Sequence, residues 1–493
     1  MKELNSSTAF MLCKEYGANS VSISRKKVNG KNTGKTCVRF SVLKKIDKNE
    51  LNSKKLIPEK IKYNGKVYET DVEQQNPAKF LDCGFTPCWS FDADLGEWEY
   101  TGESPNDTAQ RTKFRPLAGG LSICNFDDSR YGTGTLGQLC VDERDNTIVG
   151  LTNVHVVIHD PRFNKDKELC YTPYNKRISQ PGIVDNPRAD GTYGGLKNFE
   201  TLGEPMILRE EYINEHNIGT VKRYWQLEID ADGQWQTVDP TTIYMNGRYN
   251  QIDAAIVGLT PEVVDNTSVA SRSRAFGIFN ISDNDFVPWA TDAQMEQLIQ
   301  DFENGAVIHV AKSGRTSGTT GFNYRNGDCP VEITAIGGYF PITYLEGRNN
   351  GVFDLSYTED EDPVMCPFED CITFEYVPPI DHPLGDMCPV APLAGGDSGS
   401  VLVTDYFGGN VVIGLCFAGG GTQGIANRID HVRNTLNVRG PTVQDVQSAL
   451  TFTDYSQANY ITASGMNVES SGYIMYNGKK YWQIANAPPS GSV

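Results

Sequence analysis

Short segments in which hydrophobic and polar residues alternate recur along this chain. Residues 21–24 read Val-Ser-Ile-Ser, and residues 37–43 continue the same pattern. A period of two places successive side chains on opposite faces of a β-strand. Continuous apolar runs, such as residues 401–403, indicate strands that are buried on both faces. The pattern therefore predicts a mainly β protein built from many short strands.

Helical periodicity is confined to a few segments. A capping-box pattern at residues 291–294 precedes apolar residues at 295, 298, 299 and 302, which fall on one helical face. Residues 429–436 and 443–450 predict two further helices towards the end of the chain. Asn-Gly pairs at 64–65 and 477–478 predict tight hairpins.

A glycine-rich turn at residues 392–403 carries the most specific chemical signal. Gly396 lets the backbone approach a carbonyl substrate, and Ser398 is the candidate nucleophile. The N–H groups of Gly396 and Ser398 are the candidate oxyanion hole. The alternative is an ordinary glycine turn that precedes a strand.

A serine hydroxyl needs a base and an orienting carboxylate before it can attack at neutral pH. The chain has 6 histidines, and His155 ends an apolar strand that begins near residue 148. Asp253 lies in an apolar segment, where a buried carboxylate needs a partner such as an imidazole N–H. Taken singly, His155 fits a core histidine equally well and Asp253 fits a turn cap. Together with Ser398 they form an ordered set of base, orienter and nucleophile.

These segments resemble the boxes of trypsin-like serine peptidases of the chymotrypsin fold. Residues 152–155 resemble the histidine box, residues 253–256 the aspartate box and residues 396–400 the serine box. Residues 312–321 resemble the Ser-Gly-Arg-Thr hairpin of bacterial secreted peptidases such as alpha-lytic protease. The Arg-Pro-Leu-Ala-Gly-Gly run at 115–120 is similar to one in a signal-less group of bacterial, phage and plant proteins that includes the plant narrow-leaf proteins.

The resemblance implies a fold and a division of the chain. It implies two six-stranded antiparallel β-barrels over residues 115–438, with insertions near 160–245 and 322–390. Before them the sequence predicts a small basic α+β module at 1–75 and a linker or wrapping arm at 76–114. Residues 439–493 are predicted to add a helix, a hairpin and a flexible tail.

The resemblance also implies an activity, hydrolysis of peptide bonds through an acyl-enzyme. The catalytic residues would be His155, Asp253 and Ser398. Phe417, Ala418, Gly419 and Gly420 would line the specificity pocket and bind the substrate backbone as an added strand. Residues 391–394, just before the serine box, contain no acid, which predicts cleavage after an apolar or small side chain. Neither a cofactor nor a metal is implied.

Charge is unevenly distributed along the 493 residues. The formal net charge is −18, but residues 1–66 hold 16 Lys or Arg against 5 Asp or Glu. The acidic balance argues against general nucleic-acid binding. The basic segment favours contact with an acidic partner, or with the acidic body of the same protein or of another copy. A solvated basic face is the alternative.

The cellular location of the protein is predicted from features that the sequence lacks. The first residues have no apolar signal core, and no apolar run is long enough to span a membrane. We therefore expect a cytoplasmic protein, or a virion protein if the chain is phage-encoded. The 12 cysteines show C-x4-C spacings rather than C-x-x-C, so a zinc site is not expected, and their disulfide state stays open.

Two functions remain open from the sequence. The first is a serine endopeptidase that acts on a protein or peptide, with its own chain and a partner as the candidate substrates. The second is a structural or assembly protein, such as a virion component, with a vestigial or single-use triad. The basic arm and the wrapping segment suit a homo-oligomer in either case.

Overall fold

The structure is a computed structural model of the chain. It describes residues 4, 6–28, 31–42, 44–46, 49, 56–63, 65–75, 78–80, 89–92, 97–100, 109–125, 133–158, 177–182, 185, 215–225, 227, 250–321, 330–344, 364–376, 392–420, 423–453, 459–461, 467–476 and 479–484. Much of the predicted insertions and the predicted flexible tail lie outside these residues.

The N-terminal part combines one helix with a small sheet. Helix α1 ends where Gly17 adopts a positive φ of 70° and donates to the Cys13 carbonyl at 2.7 Å. The helix packs its apolar face on β1 and β2, with Phe10, Val21 and Phe40 in one cluster. The elements in chain order are α1 (Ser6–Tyr16), β1 (Ser20–Val28), β2 (Lys31–Val42), β3 (Lys60–Tyr63), β4 (Lys66–Gln74), β5 (Ala78–Phe80), β6 (Trp89–Asp92) and β7 (Glu97–Tyr100).

The next strands close into an antiparallel barrel, the first barrel. Its strands are β8 (Leu121–Asn125), β9 (Thr133–Leu136), β10 (Gln138–Asp142), β11 (Thr147–Thr152), β12 (Arg177–Ser179), β13 (Asn217–Tyr224) and β14 (Ala255–Leu259). Strands β9 and β10 form one bent strand that pairs with β8 in its first half and with β11 in its second. The ladder therefore returns to its starting strand and encloses a six-stranded barrel.

In the part of the chain that the structure describes, helices α2 (Val154–Val157), α3 (Val269–Ala275) and α4 (Asp292–Glu303) lie between the end of β11 and the second set of strands. The predicted capping box of α4 is formed by Thr291 and Gln294. Its apolar face is buried, as the periodicity predicts, with Met295, Leu298 and Phe302 in the core. Helix α4 connects the two barrels.

The second barrel closes in the same way. Its strands and their neighbours are β15 (Ala311–Gly314), β16 (Gly318–Gly321), β17 (Val331–Tyr344), β18 (Val364–Glu369), β19 (Ile372–Tyr376), β20 (Val401–Thr404), β21 (Val411–Gly420) and β22 (Gln423–Arg428). The ladder runs β15-β20-β21-β22-β19-β17. It closes because the residues before β15 pair with the start of β17, Val310 N donating to Val331 O at 2.9 Å.

Strand β17 joins the N-terminal strands to the second barrel within one sheet. At Ala335 and Ile336 it pairs with β19 on one edge and β1 on the other, and from Tyr339 onwards it pairs with β18. Between these parts lie Gly337 and Gly338, whose φ values are 75° and 105°. A Cβ at Gly338 would lie 2.5 Å from the Val21 carbonyl oxygen. The N-terminal strands thus extend the sheet of the second barrel.

The C-terminal elements return to the first barrel. Helix α5 (Ile429–Leu436) ends at Asn437, whose φ of 54° is left-handed. Strand β23 (Val438–Arg439) then pairs with β10, and helix α6 (Val443–Gln447) follows. Strands β24 (Asn459–Ile461), β25 (Asn467–Tyr476) and β26 (Lys479–Ile484) form a separate sheet, with the predicted hairpin between Tyr476 and Lys479.

The predicted fold class, mainly β with two six-stranded antiparallel barrels, is confirmed. The proposed domain boundaries stay predictions. The predicted insertions 160–245 and 322–390 contain barrel strands, since β12, β13, β17 and β19 fall within them. Among the described helices, none has the length and apolar content that a membrane span requires.

Gly219 on β13 sets how closely this strand approaches β14, which follows Asp253. Its φ is 151°, and a Cβ there would lie 1.8 Å from the Gly258 carbonyl oxygen. We expect Gly219→Ala to lower the free energy of unfolding by about 2–4 kcal/mol, because the strand must shift. Urea unfolding measures the change. Gly409→Ala is the matched control, since a Cβ at Gly409 meets no atom within 4 Å; an equal loss in both variants contradicts the prediction.

Candidate active site

His155 and Asp253 meet in the first barrel. His155 lies on α2 directly after β11, and Asp253 lies just before β14, the neighbour of β11. The Nδ1 atom of His155 is hydrogen-bonded to Oδ2 of Asp253. Oδ1 of Asp253 accepts from the backbone N–H of Val154 at 2.8 Å. The imidazole ring is therefore oriented by a carboxylate that is itself fixed.

The surroundings of Asp253 explain how an acid is kept in an apolar segment. The residue is fully buried, with an exposed fraction of 0%. Its backbone N–H donates to Asn427 Oδ1 at 2.8 Å, and its carbonyl accepts from Asn153 Nδ2 at 2.6 Å. Buried polar groups need partners of this kind. Asn427 belongs to β22 of the second barrel, so both barrels hold the backbone at Asp253.

Ser398 lies in a tight turn before β20. Its Oγ atom donates to the Phe417 carbonyl oxygen at 3.3 Å. Gly396 and Gly399 have φ values of 91° and 95°, in the left-handed region that favours glycine. A Cβ at Gly396 would lie 2.6 Å from Thr316 Oγ1, and one at Gly399 would lie 2.1 Å from Thr135 O. Both glycines are required by the turn, whichever substrate is bound.

Strand β9 contacts both the turn that bears Ser398 and helix α2, which bears His155. Thr135 N donates to Ser398 O at 2.7 Å, and Thr135 Oγ1 donates to Gly396 O at 2.9 Å. At Gly134 a Cβ would lie 2.4 Å from the Val156 side chain and 2.9 Å from Ser398 O. Gly134 therefore lies between the segments around His155 and Ser398, which are 243 residues apart in sequence. The roles of His155, Asp253 and Ser398 as a triad stay a prediction.

The carboxylate of Asp397 holds the turn in place. Oδ1 accepts from the backbone N–H groups of Thr316 and Ser317 at 2.8 and 3.0 Å. Oδ2 accepts from Ala394 N at 3.0 Å and from Lys312 Nζ at 2.8 Å. Burial by itself raises the pKa of Asp397, but the charge and hydrogen bond of Lys312, together with hydrogen bonds from Ser317 and Ala394, outweigh it, and the pKa lies below its ordinary value.

A second buried ion pair joins the barrels beside the turn. The guanidinium of Arg315 binds both oxygens of Asp185, which also accepts from Ser122 Oγ on β8. The backbone N–H of Arg315 donates to Thr135 Oγ1 at 3.0 Å. Arg315 comes from the β15–β16 hairpin of the second barrel. The hairpin, the turn and β9 are thus tied together through Thr135.

The thiol of Cys416 is not a competing nucleophile. Cys416 lies on β21 and is fully buried. Burial raises its pKa to about 12, so the thiolate is not formed near neutral pH. Cys124, Cys140 and Cys416 are all buried, as the apolar segments around them predict.

The residues predicted to bind substrate lie on β21, next to Ser398. The Phe417 side chain is buried, and its ring packs against Phe368 with centroids 4.5 Å apart. Ala418 and Gly419 pair with β5, in the register Ala418–Phe80 and Gly419–Lys79. Gly420 pairs with Gln423. The backbone edge predicted to take a substrate strand is therefore covered by another part of this chain.

Several residues that fix the site carry no local signal in the sequence. Thr135 is one of several threonines in an ordinary strand, and Asp185 follows Ile183-Val184 in a segment that matches none of the motifs described above. Lys312 and Asp397 do lie inside segments that the sequence singles out. Their pairing is not predicted by either segment, because 85 residues separate them.

No family model matches this chain, and no curated protein matches it. Among solved structures it is similar to a glutamic acid specific serine protease, at 15% identity over 66% of this chain and 100% of that one, with a TM-score of 0.28. It is also similar to a Nocardiopsis protease, at 13% identity over 66% and 99%, with a TM-score of 0.30. An M. tuberculosis protease in its active form is similar at 12% identity over 73% and 92%, with a TM-score of 0.25. Because these TM-scores are low, the chemistry of the site is inferred from the contacts described above and not from these similarities.

We expect Lys312→Met to destabilise the fold by about 3–5 kcal/mol, because it leaves the buried Asp397 carboxylate without its cation. Chemical denaturation measures the loss. Lys26→Met is the matched control. Lys26 pairs with Glu69 at 2.7 Å with side chains 26% and 40% exposed, so its removal costs about 1 kcal/mol or less. Equal losses for the two variants contradict the prediction.

The lowered pKa of Asp397 gives a direction for the pH dependence. A carboxyl whose folded pKa is depressed adds stability above its unfolded pKa and loses it as the pH falls through the folded value. We therefore expect the stability difference between wild type and Asp397→Asn to be largest near neutral pH and to narrow in acid. Denaturation midpoints of both proteins, taken from pH 7 downwards over about 4 pH units, measure this stability difference. A difference that widens in acid contradicts the prediction.

Proposed function

We propose that this protein is a serine endopeptidase. The observation that carries the proposal is the buried His155–Asp253 pair at the end of β11, brought by β9 to the turn that bears Ser398. A base oriented by a carboxylate next to a serine in a constrained turn is the arrangement that nucleophilic acyl transfer needs. The contacts described above hold His155, Asp253 and the Ser398 turn in place.

In the proposed reaction, Ser398 Oγ attacks the carbonyl carbon of a peptide bond while His155 takes the hydroxyl proton. Asp253 holds the ring and stabilises the imidazolium. The negative oxygen is bound by the N–H groups of Gly396 and Ser398. His155 then gives its proton to the leaving amine. Water, activated by His155, releases the acid product and restores the serine.

The proposed substrate is an extended peptide. The edge of β21 at Ala418 and Gly419 suits an added strand, since the chain already pairs a strand there. The Phe417 side chain packs against Phe368 and is buried, which supports its role as a backbone contact. An apolar or small residue at the cleaved position remains our proposal, based on residues 391–394.

A fluorophosphonate probe tests the nucleophile directly. We expect Ser398 to be labelled in the native wild-type protein and labelling to be lost in Ser398→Ala. Asp253→Asn is expected to slow labelling by about 10³–10⁴-fold, because the ring loses the carboxylate that orients it. Intact mass spectrometry with peptide mapping measures both.

Ser400→Ala is the matched control, because Ser400 is a buried serine two positions along the same turn. It is expected to be labelled as wild type is. If the folded wild type is not labelled, the peptidase proposal fails, and the structural or assembly function becomes the better explanation of the fold.

A further inference from the structure

Strand β5 lies in the place where a substrate strand is expected. It is inserted between β21 and β17, antiparallel to the first and parallel to the second. We propose that residues 78–80 are an intramolecular inhibitor that occupies the substrate-binding edge of β21. This inference rests on the proposed peptidase function and concerns the regulation of that same site.

The direction of β5 matches an extended chain that approaches the nucleophile. Lys79 lies opposite Gly419 and Phe80 lies opposite Ala418. Each step towards higher numbers on β5 is therefore one step towards Phe417, whose carbonyl accepts from Ser398 Oγ. Two strands cannot pair with the same edge of β21 at once, because alternate residues along it each offer one N–H and one C=O to that edge, and β5 already uses them. A substrate that pairs with this edge must displace β5.

Gln75 anchors the strand just before it begins. Its backbone N–H donates to Val42 O at 2.9 Å, and its carbonyl accepts from Asn19 Nδ2 at 3.1 Å. Its side chain donates to Gln423 Oε1 at 2.8 Å, on β22. Gln75 thus ties β5 both to the N-terminal sheet and to the second barrel. The N-terminal strands deliver residues 78–80 to a fixed register.

The attachment of β5 is suited to displacement. Ala78 is half-buried, and a small cleft of about 20 Å³ lies beside Gln75 and Ala78, lined by Ser41, Phe340 and Gln423. Backbone pairing, the Gln75 side chain and the contact of the small Ala78 side chain with the hydrophobic cluster that contains Phe340 hold this end of the strand. Hydrogen bonds of this kind each contribute about 1 kcal/mol, so a competing peptide strand can replace them.

Two variants release the strand by different means. Gln75→Ala removes the side-chain anchor, and Phe80→Pro removes an N–H from a strand that is paired on both edges. We expect each variant to raise kcat/KM at least about 10-fold, corresponding to about 1.4 kcal/mol, for a hexapeptide chromogenic substrate. The gain should arise mainly from a lower KM, because β5 and the substrate compete. Fluorophosphonate labelling of Ser398, which needs no added strand, should change little.

Gln74→Ala is the matched control, because Gln74 is the exposed neighbour of Gln75. Its turnover is expected to equal that of wild type. A synthetic peptide of residues 75–80, added in trans, should restore inhibition of Phe80→Pro competitively, whereas a scrambled peptide should not. Hydrogen exchange at Ala418 and Gly419 should be faster in Phe80→Pro than in wild type.

The outcomes separate the two proposals. Unchanged turnover in both variants, with Ser398 labelled throughout, overturns the inhibitory role of β5 and leaves the peptidase proposal intact. Equal exchange at Ala418 and Gly419 in wild type and Phe80→Pro overturns the occupancy itself. If Ser398 is not labelled in any variant while exchange still differs, the peptidase proposal fails, and inhibition by β5 fails with it.

Discussion

The site depends on one buried carboxylate, that of Asp397. A carboxylate removed from water costs several kcal/mol unless its oxygens are hydrogen-bonded and its charge is balanced. Here three backbone N–H groups and the Lys312 ammonium meet it. Because those donors come from the β15–β16 hairpin and from the turn itself, the turn has its bonded conformation only when the second barrel is assembled. The position of Ser398 is thereby set by the fold of a whole barrel.

The first barrel contributes His155, and its strand β9 contacts the turn that bears Ser398. Thr135 donates to both Ser398 and Gly396 while it accepts from Arg315. A single residue thus contacts the Ser398 turn and the hairpin that binds Asp397. These directional bonds fix the relative position of the two barrels at the site, where a misplacement of about 1 Å can disrupt the alignment of reacting groups.

Local patterns in the sequence predicted the strands, the helix caps and the segments that carry His155, Asp253 and Ser398. They did so because strand periodicity, the capping box at Thr291 and the glycine turn are properties of a few adjacent residues. Contacts between residues that are far apart in sequence cannot be predicted from such local patterns. The pairs Arg315–Asp185 and Lys312–Asp397, and the pairing of β5 with β21, depend on how the sheets close. Residues 78–80 were predicted as part of a linker or wrapping arm. A segment of three residues is too short to show the alternation of a β-strand.

Strand β17 gives the molecule a mechanical property. At Ala335 and Ile336 it pairs with β19 of the barrel on one edge and with β1 on the other. The N-terminal strands therefore cannot detach without pulling on a strand that closes the barrel. Unfolding of the N-terminal strands and of the barrel is expected to be cooperative, since a load applied to β1 is transmitted through β17 to the barrel that holds Ser398.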